Sequence, residues 1–204
     1  DPSTQDIYDG AINQALASVR RHQVQVKVEK EKKERELTVA VLRRSRGSGI
    51  ANLSPSWTKN SSGRPLAEAL SELSFEVRYS DPRQMLWLAH QARMVAEDTD
   101  PESYPPGAVS DLKARVWAEL ANAHRVNEQF NEAEYALERA YQHLEEGTGD
   151  LSLLARVLGL EASLRRGQRR ASESFELLTQ AYDLYLQLGQ RHLAGRVLVQ
   201  RATI

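Results

Sequence analysis

The sequence predicts an all-α fold in which helical hairpins stack as repeats behind one long charged helix. Three observations carry that prediction. Sliding the chain on itself by 41 residues lays ARVWAELANAHRVNEQFNEAEYALERAY, from Ala114, over ARVLGLEASLRRGQRRASESFELLTQAY, from Ala155, without a gap. Nine of the 28 positions are identical, where chance gives about two, and self-similarity at a period of 20–50 residues marks stacked repeats. A third echo, GRVL, begins at Gly195. Finally, apolar residues recur at helical spacing between stop signals, with Gly147, Gly149, Gly167 and Gly189 placed where helices should end.

The elements follow in order. Residues 1–45 read as one long helix or two shorter ones, apolar at Ile7, Ile12, Leu16 and Val19 and then dominated by the mixed run KVEKEKKERE, which reads as a solvated helical face. Residues 46–63, rich in Gly, Ser and Asn, read as a flexible linker in which Trp57 needs a pocket. Residues 64–204 then hold about three hairpins plus a terminal helix. Arg64 to Tyr79 places Leu66, Leu70, Leu73 and Val77 on one face. Asp81 caps the next helix with Pro82 at its first position, and Met85, Leu88, Ala89, Ala92, Val95 and Ala96 line one side. DTDPESYPPG, from Asp98, is an inter-repeat loop stiffened by three prolines. In the two clear copies, Asn131 and Ser172 are expected to cap the second helices. The second copy carries Glu161 and Arg165 at apolar positions of the first, so its first helix is expected to be rotated, with Val157, Leu160 and Leu164 inward.

Composition removes several function classes. Lys and Arg total 27 against 28 for Asp and Glu, so the whole chain has no strong attraction to nucleic acid or to an anionic membrane. With no cysteine, a disulfide framework, a thiol nucleophile and cysteine-ligated metal sites are excluded within these residues. The longest apolar run, near Leu37 to Leu42, is far short of a spanning segment. The five histidines show no metal spacing, and no P-loop, dinucleotide or nucleophile-elbow motif occurs. A non-enzyme without a cofactor is expected. The start at Asp1 and the apolar pattern running to Ile204 read as a piece of a longer protein.

Within the first copy, Trp117-x2-Leu120-Ala121-x2-His124 is followed by Ala133-x3-Leu137-x2-Ala140. That spacing resembles the tetratricopeptide repeat. The small residues let two helices of a hairpin approach, and the large ones fill the space between hairpins; His124, at an aromatic position, is expected in the core. DLKARVWAELANAHRVNEQFNEAE and LEASLRRGQRRASESFELL are similar to bacterial tetratricopeptide proteins in which a charged helical linker joins a zinc-finger-like or DNA-binding segment to the repeats. The resemblance implies a tetratricopeptide-like α-solenoid acting as a cytoplasmic, non-catalytic interaction scaffold, often part of a regulatory or signalling protein.

It also implies a binding face, because in such folds the first helix of each hairpin lines a concave groove. Helical geometry at about 100° per residue separates Arg115, Asn122 and Arg125 from the packed Trp117 and Leu120. Repeat correspondence adds Arg156, Ser163, Arg166 and Arg196. Guanidinium groups pair bidentately with carboxylates, which points to a protein or peptide partner with acidic character. The same arginines could instead form ion pairs with Glu119, Glu128 or Glu161. The family's carboxylate clamp carries a lysine one turn before the groove asparagine, where this chain has Ala118. A different reading makes the N-terminal charged helix a nucleic-acid-linked or homodimerising module, although its acidic residues nearly cancel its basic ones.

Overall fold

The computed structural model describes residues 4–45 and 63–204, with side chains described from residue 12 to 40 and from 63 onward. Trp57 and almost all of the expected linker lie outside the described residues. The chain folds as helices α1 (Thr4–Ser45), α2 (Arg64–Val77), α3 (Pro82–Glu97), α4 (Ala108–Val126), α5 (Phe130–Glu145), α6 (Leu151–Gly167), α7 (Ala171–Gln187) and α8 (Arg191–Arg201), with a 3-10 turn at Pro101–Ser103. No strand occurs among the described residues, and none of their helices is long and apolar enough to cross a membrane.

Three hairpins, α2–α3, α4–α5 and α6–α7, follow one another, and α8 packs on α7. The first helices also touch, α2 against α4 and α4 against α6. The N-terminal region is one continuous helix rather than two. Its residues 12–30 are all exposed, whereas Thr38 and Val39 are buried against the hairpins. Lys27 donates from Nζ to the carbonyl of Ser103 and lies 4.4 Å above the Tyr104 ring, and Arg35 approaches Glu68 at 3.7 Å.

The core is built as the apolar pattern requires. Leu66, Leu70, Leu73 and Val77 of α2 meet Met85, Leu88, Ala89, Ala92 and Ala96 of α3, all buried. Asp81 caps α3, its Oδ1 accepting from Gln84 N at 2.9 Å. Ala121, Ala133 and Ala140 are fully enclosed between α4 and α5, where a larger side chain would hold the helices apart.

Helix α6 turns Val157 and Leu164 inward as expected, with Leu160 partly buried beside them, and its position makes it bury a second face as well. It stands between two apolar clusters, sending Leu153, Val157 and Leu164 into the first and Ala155, Leu158 and Ala162 into the second. Both faces are therefore inward. Glu161 and Arg165 bridge helices with polar groups: the Tyr141 hydroxyl donates to Glu161 at 2.6 Å, and Arg165 pairs with Glu161 at 2.8 Å and with Glu134 at 2.6 Å. Burial and the Glu161 carboxylate hold the Tyr141 phenol far above its usual range. Two further bonds tie the members of a hairpin together: the Ser74 hydroxyl donates to Met85 O at 2.9 Å, and the Ser174 hydroxyl to Ala162 O at 2.8 Å.

Asn131 and Ser172 are not the helix caps. Those positions fall to Gln129 and Arg170, neither of which makes a side-chain capping bond. The turn itself explains the shift. Gln129 N returns to His124 O and Arg170 N to Arg165 O, while Glu128 (φ 62°) and Arg169 (φ 61°) adopt the left-handed conformation. This backbone closure ends one helix and starts the next after three residues, leaving no room for a longer capped connection. A non-glycine residue in that conformation costs about 1–2 kcal/mol, partly offset by the unfolded-state entropy of glycine. Glu128→Gly is therefore expected to raise the unfolding free energy by about 0.5–1 kcal/mol; a lower urea midpoint would contradict that assignment of strain.

Candidate functional site: an arginine-lined groove

Because α2, α4 and α6 stand side by side, their outward faces enclose one concavity of about 580 Å³. Arg115, Asn122, Arg125, Arg156, Ser163, Arg166 and Arg196, the residues selected from the sequence, all line it. Their roles differ. Arg115 is half-buried and has no hydrogen bond or ion pair among the described residues. Asn122 is buried and uses Oδ1 to accept from Arg125 Nε at 3.2 Å and Nη2 at 2.8 Å. The Ser163 hydroxyl donates back to Gly159 O at 3.0 Å within its own helix. Arg166 is exposed and donates to Thr203 Oγ1 at 2.9 Å. Arg196, exposed on α8, lines the far side with Gln200.

Arg156 departs from the free cation that the repeat correspondence suggested. It spans from α6 to α4, where Nε donates to Oε1 of the buried Glu119 at 2.8 Å and Nη2 closes a second bond to the same oxygen. The attraction of Glu119 raises the Arg156 pKa against the opposing effect of burial. Glu119 would otherwise be a buried uncompensated carboxylate, so this arginine is held by packing between repeats. Its side chain is still 46% exposed.

Residues from α2 complete the groove and were not selected from the sequence. Arg78 donates to Phe75 O at 2.6 Å, and its guanidinium lies 3.8 Å from the centre of the Phe75 ring and 4.3 Å from that of Tyr79. Arg35 of α1 contributes to the rim. The signal was weak because the proline-rich loop lengthens the first repeat. The ends of α4 and α6, Val126 and Gly167, are 41 residues apart, whereas Val77 and Val126, ending α2 and α4, are 49 apart. Ser71, also on α2, lines the groove, is 7% exposed, and has a hydroxyl without a partner.

The lining carries seven arginines against four carboxylates, distributed unevenly. Glu68 and Asp150 lie toward the N-terminal ends of the first helices, and Glu72 and Glu119 near the middles of α2 and α4. At the opposite end stand Arg78, Arg125 and Arg166 with Tyr79, Asn122 and Val126, and no lining carboxylate. Burial and the repulsion of Arg166 both lower the Arg125 pKa.

His124, expected in the core, is half-exposed. Its Nδ1 lies 2.7 Å from Gln129 Oε1 and its ring meets His90 edge-on at 5.4 Å. The buried histidine is His143 of α5, whose two ring nitrogens have no hydrogen-bond partner; Nδ1 stops 3.6 Å from Glu146. Burial lowers the pKa of His143, aided by Arg139 and Lys113 and partly offset by Glu97 and Glu146. Burial, His124 and Arg93 lower that of His90. Both sites bind fewer protons folded than unfolded. Their stabilisation is thus present above the ordinary histidine value of 6.5 and declines as pH falls through the depressed values. The urea midpoint should drop between about pH 7 and pH 5, less steeply in a His90→Gln/His143→Gln variant. An unchanged slope in that variant would contradict the assignment.

Comparison with known proteins yields no family model, no curated protein and no solved structure that matches this chain.

Proposed function

We propose that this chain is a tetratricopeptide-like interaction module, part of a cytoplasmic bacterial regulatory or signalling protein. Its arginine-lined groove binds an extended peptide of acidic character, without catalysis. The observation that carries the reading is the groove itself: α2, α4, α6 and α8 all contribute to one concavity in which arginines outnumber carboxylates seven to four. Side-by-side first helices support the repeat assignment, since equivalent positions of successive hairpins then face the same space. Asn122, Ser163 and the unpartnered Ser71 hydroxyl supply hydrogen-bonding groups for a peptide backbone.

Selection of a random peptide-display library on the immobilised chain tests this reading. Convergence on sequences enriched in Asp and Glu is expected. Failure to converge, or enrichment of basic sequences, would remove it.

A second reading, self-association through α1, is favoured by one observation. Ile12, Leu16, Val19 and Val26 are spaced as a seam along one face and are 49–56% exposed. If that face pairs two copies, light scattering gives twice the monomer mass and Leu16→Glu/Val19→Glu restores the monomer. A monomeric wild-type mass across dilution would exclude it.

A further inference from the structure

We infer that the Arg125–Arg166 end of the groove is a subsite for a doubly charged oxyanion, the phosphate of a phosphorylated side chain carried on the bound peptide. This rests on the groove being a peptide site and adds which group is recognised, and where.

Two guanidinium groups from corresponding positions of successive first helices line this end, and among the described residues each is bonded only to a neutral acceptor: Arg125 to Asn122 Oδ1 and Arg166 to Thr203 Oγ1. No carboxylate among the described residues pairs with either. They are close enough to repel each other, and Arg125 is partly withdrawn from solvent. Farther along the groove the protein supplies its own anion, because Glu119 already neutralises Arg156. An incoming negative group therefore gains least at Arg156 and most at Arg125 and Arg166.

The charge balance selects the class of group. A single carboxylate offers one negative charge to two cations of the same lining, to which Arg78 also belongs. A phosphate monoester carries about −1.5 to −2 at neutral pH and three strong acceptor oxygens, enough to engage both guanidinium groups at once. Neither arginine needs to give up its present bond, since each uses only part of its donor set. The Asn122 bond holds Arg125 in place by accepting from two of its nitrogens. Beside the subsite, Tyr79 is 86% exposed and Val126 lines the wall, giving neighbouring residues of the peptide an apolar surface.

The test uses three degenerate peptide libraries of the same length, identical except for a fixed central phosphoserine, glutamate or serine, passed over the immobilised full chain. Retention of the phosphoserine library at least tenfold above the glutamate library is expected. Arg166→Gln, an exposed change that leaves the helix pairs intact, should remove that preference, and Arg166→Lys should restore only part of it. Arg170→Gln, outside the groove, should leave the preference unchanged. Equal retention of the phosphoserine and glutamate libraries overturns the inference while leaving the acidic-peptide reading standing. No retention of any library overturns both. Binding of inorganic phosphate without retention of the phosphoserine library also overturns it, because the site would then hold a free ion and not a peptide group.

Discussion

Replacing Trp117 with alanine is expected to lower the unfolding free energy by about 3–5 kcal/mol, the usual range for deleting a large buried aromatic ring. Trp117 is 8% exposed and stands where α3, α4 and α5 meet. Its Nε1 donates to Glu97 Oε1 at 2.9 Å, its ring meets Tyr135 edge-on at 6.1 Å, and the guanidinium groups of Arg93 and Arg139 lie 5.2 Å and 5.8 Å from its centre. Alanine would leave a void between two hairpins and leave Glu97 with Lys113 as its remaining ion-pair partner, at 3.0 Å. Trp117→Phe retains most of the packing but loses the indole bond, and should cost about 1–2 kcal/mol. Urea denaturation followed by circular dichroism measures both. A loss below about 1 kcal/mol for the alanine variant would show that the ring does not join the hairpins.

The second large effect is on binding. Arg115→Glu/Arg125→Glu turns the groove from seven arginines against four carboxylates into five against six. Among the described residues Arg115 has no partner to lose and Arg125 bonds only within its own helix, so helicity should be unchanged. Two lost charge-assisted contacts at about 1.5 kcal/mol each correspond to roughly a hundredfold weaker retention of an acidic peptide pool. Retention within a factor of three of the wild type, measured on the same immobilised surface, would place the ligand elsewhere.

Much of this molecule is legible in its sequence for a simple reason: patterns that act within one helix or repeat at a fixed interval leave a local trace. Asp81 followed by Pro82 marks a helix start, the enclosed alanines mark close helix approach, and the 41-residue echo aligns Arg115 with Arg156 and Arg125 with Arg166. What stayed hidden depends on contacts between repeats or on backbone closure. The partner of Arg156 is Glu119 of the preceding hairpin, which the sequence offers only as one of three candidate carboxylates, because no spacing rule links the two. The left-handed turns at Glu128 and Arg169 carry no glycine to announce them, so Asn131 and Ser172 placed the caps two residues too far along. Helix α6 showed conflicting apolar faces because it serves two clusters at once. His124 follows the aromatic position of its repeat, yet it lies at the rim against His90, and the buried imidazole is His143.

The side-chain Nε–H resonances of the arginines, recorded while a selected acidic peptide is added, test most directly whether the ligand lies in the groove between the first helices. The expected result is perturbation of Arg115, Arg125 and Arg166, with little change at Arg165 and Arg170, which pair with Glu134 and Glu173 on other faces. Perturbation confined to Arg93 and Arg139, around Trp117, would contradict the account and move the binding face to the opposite side of the hairpins.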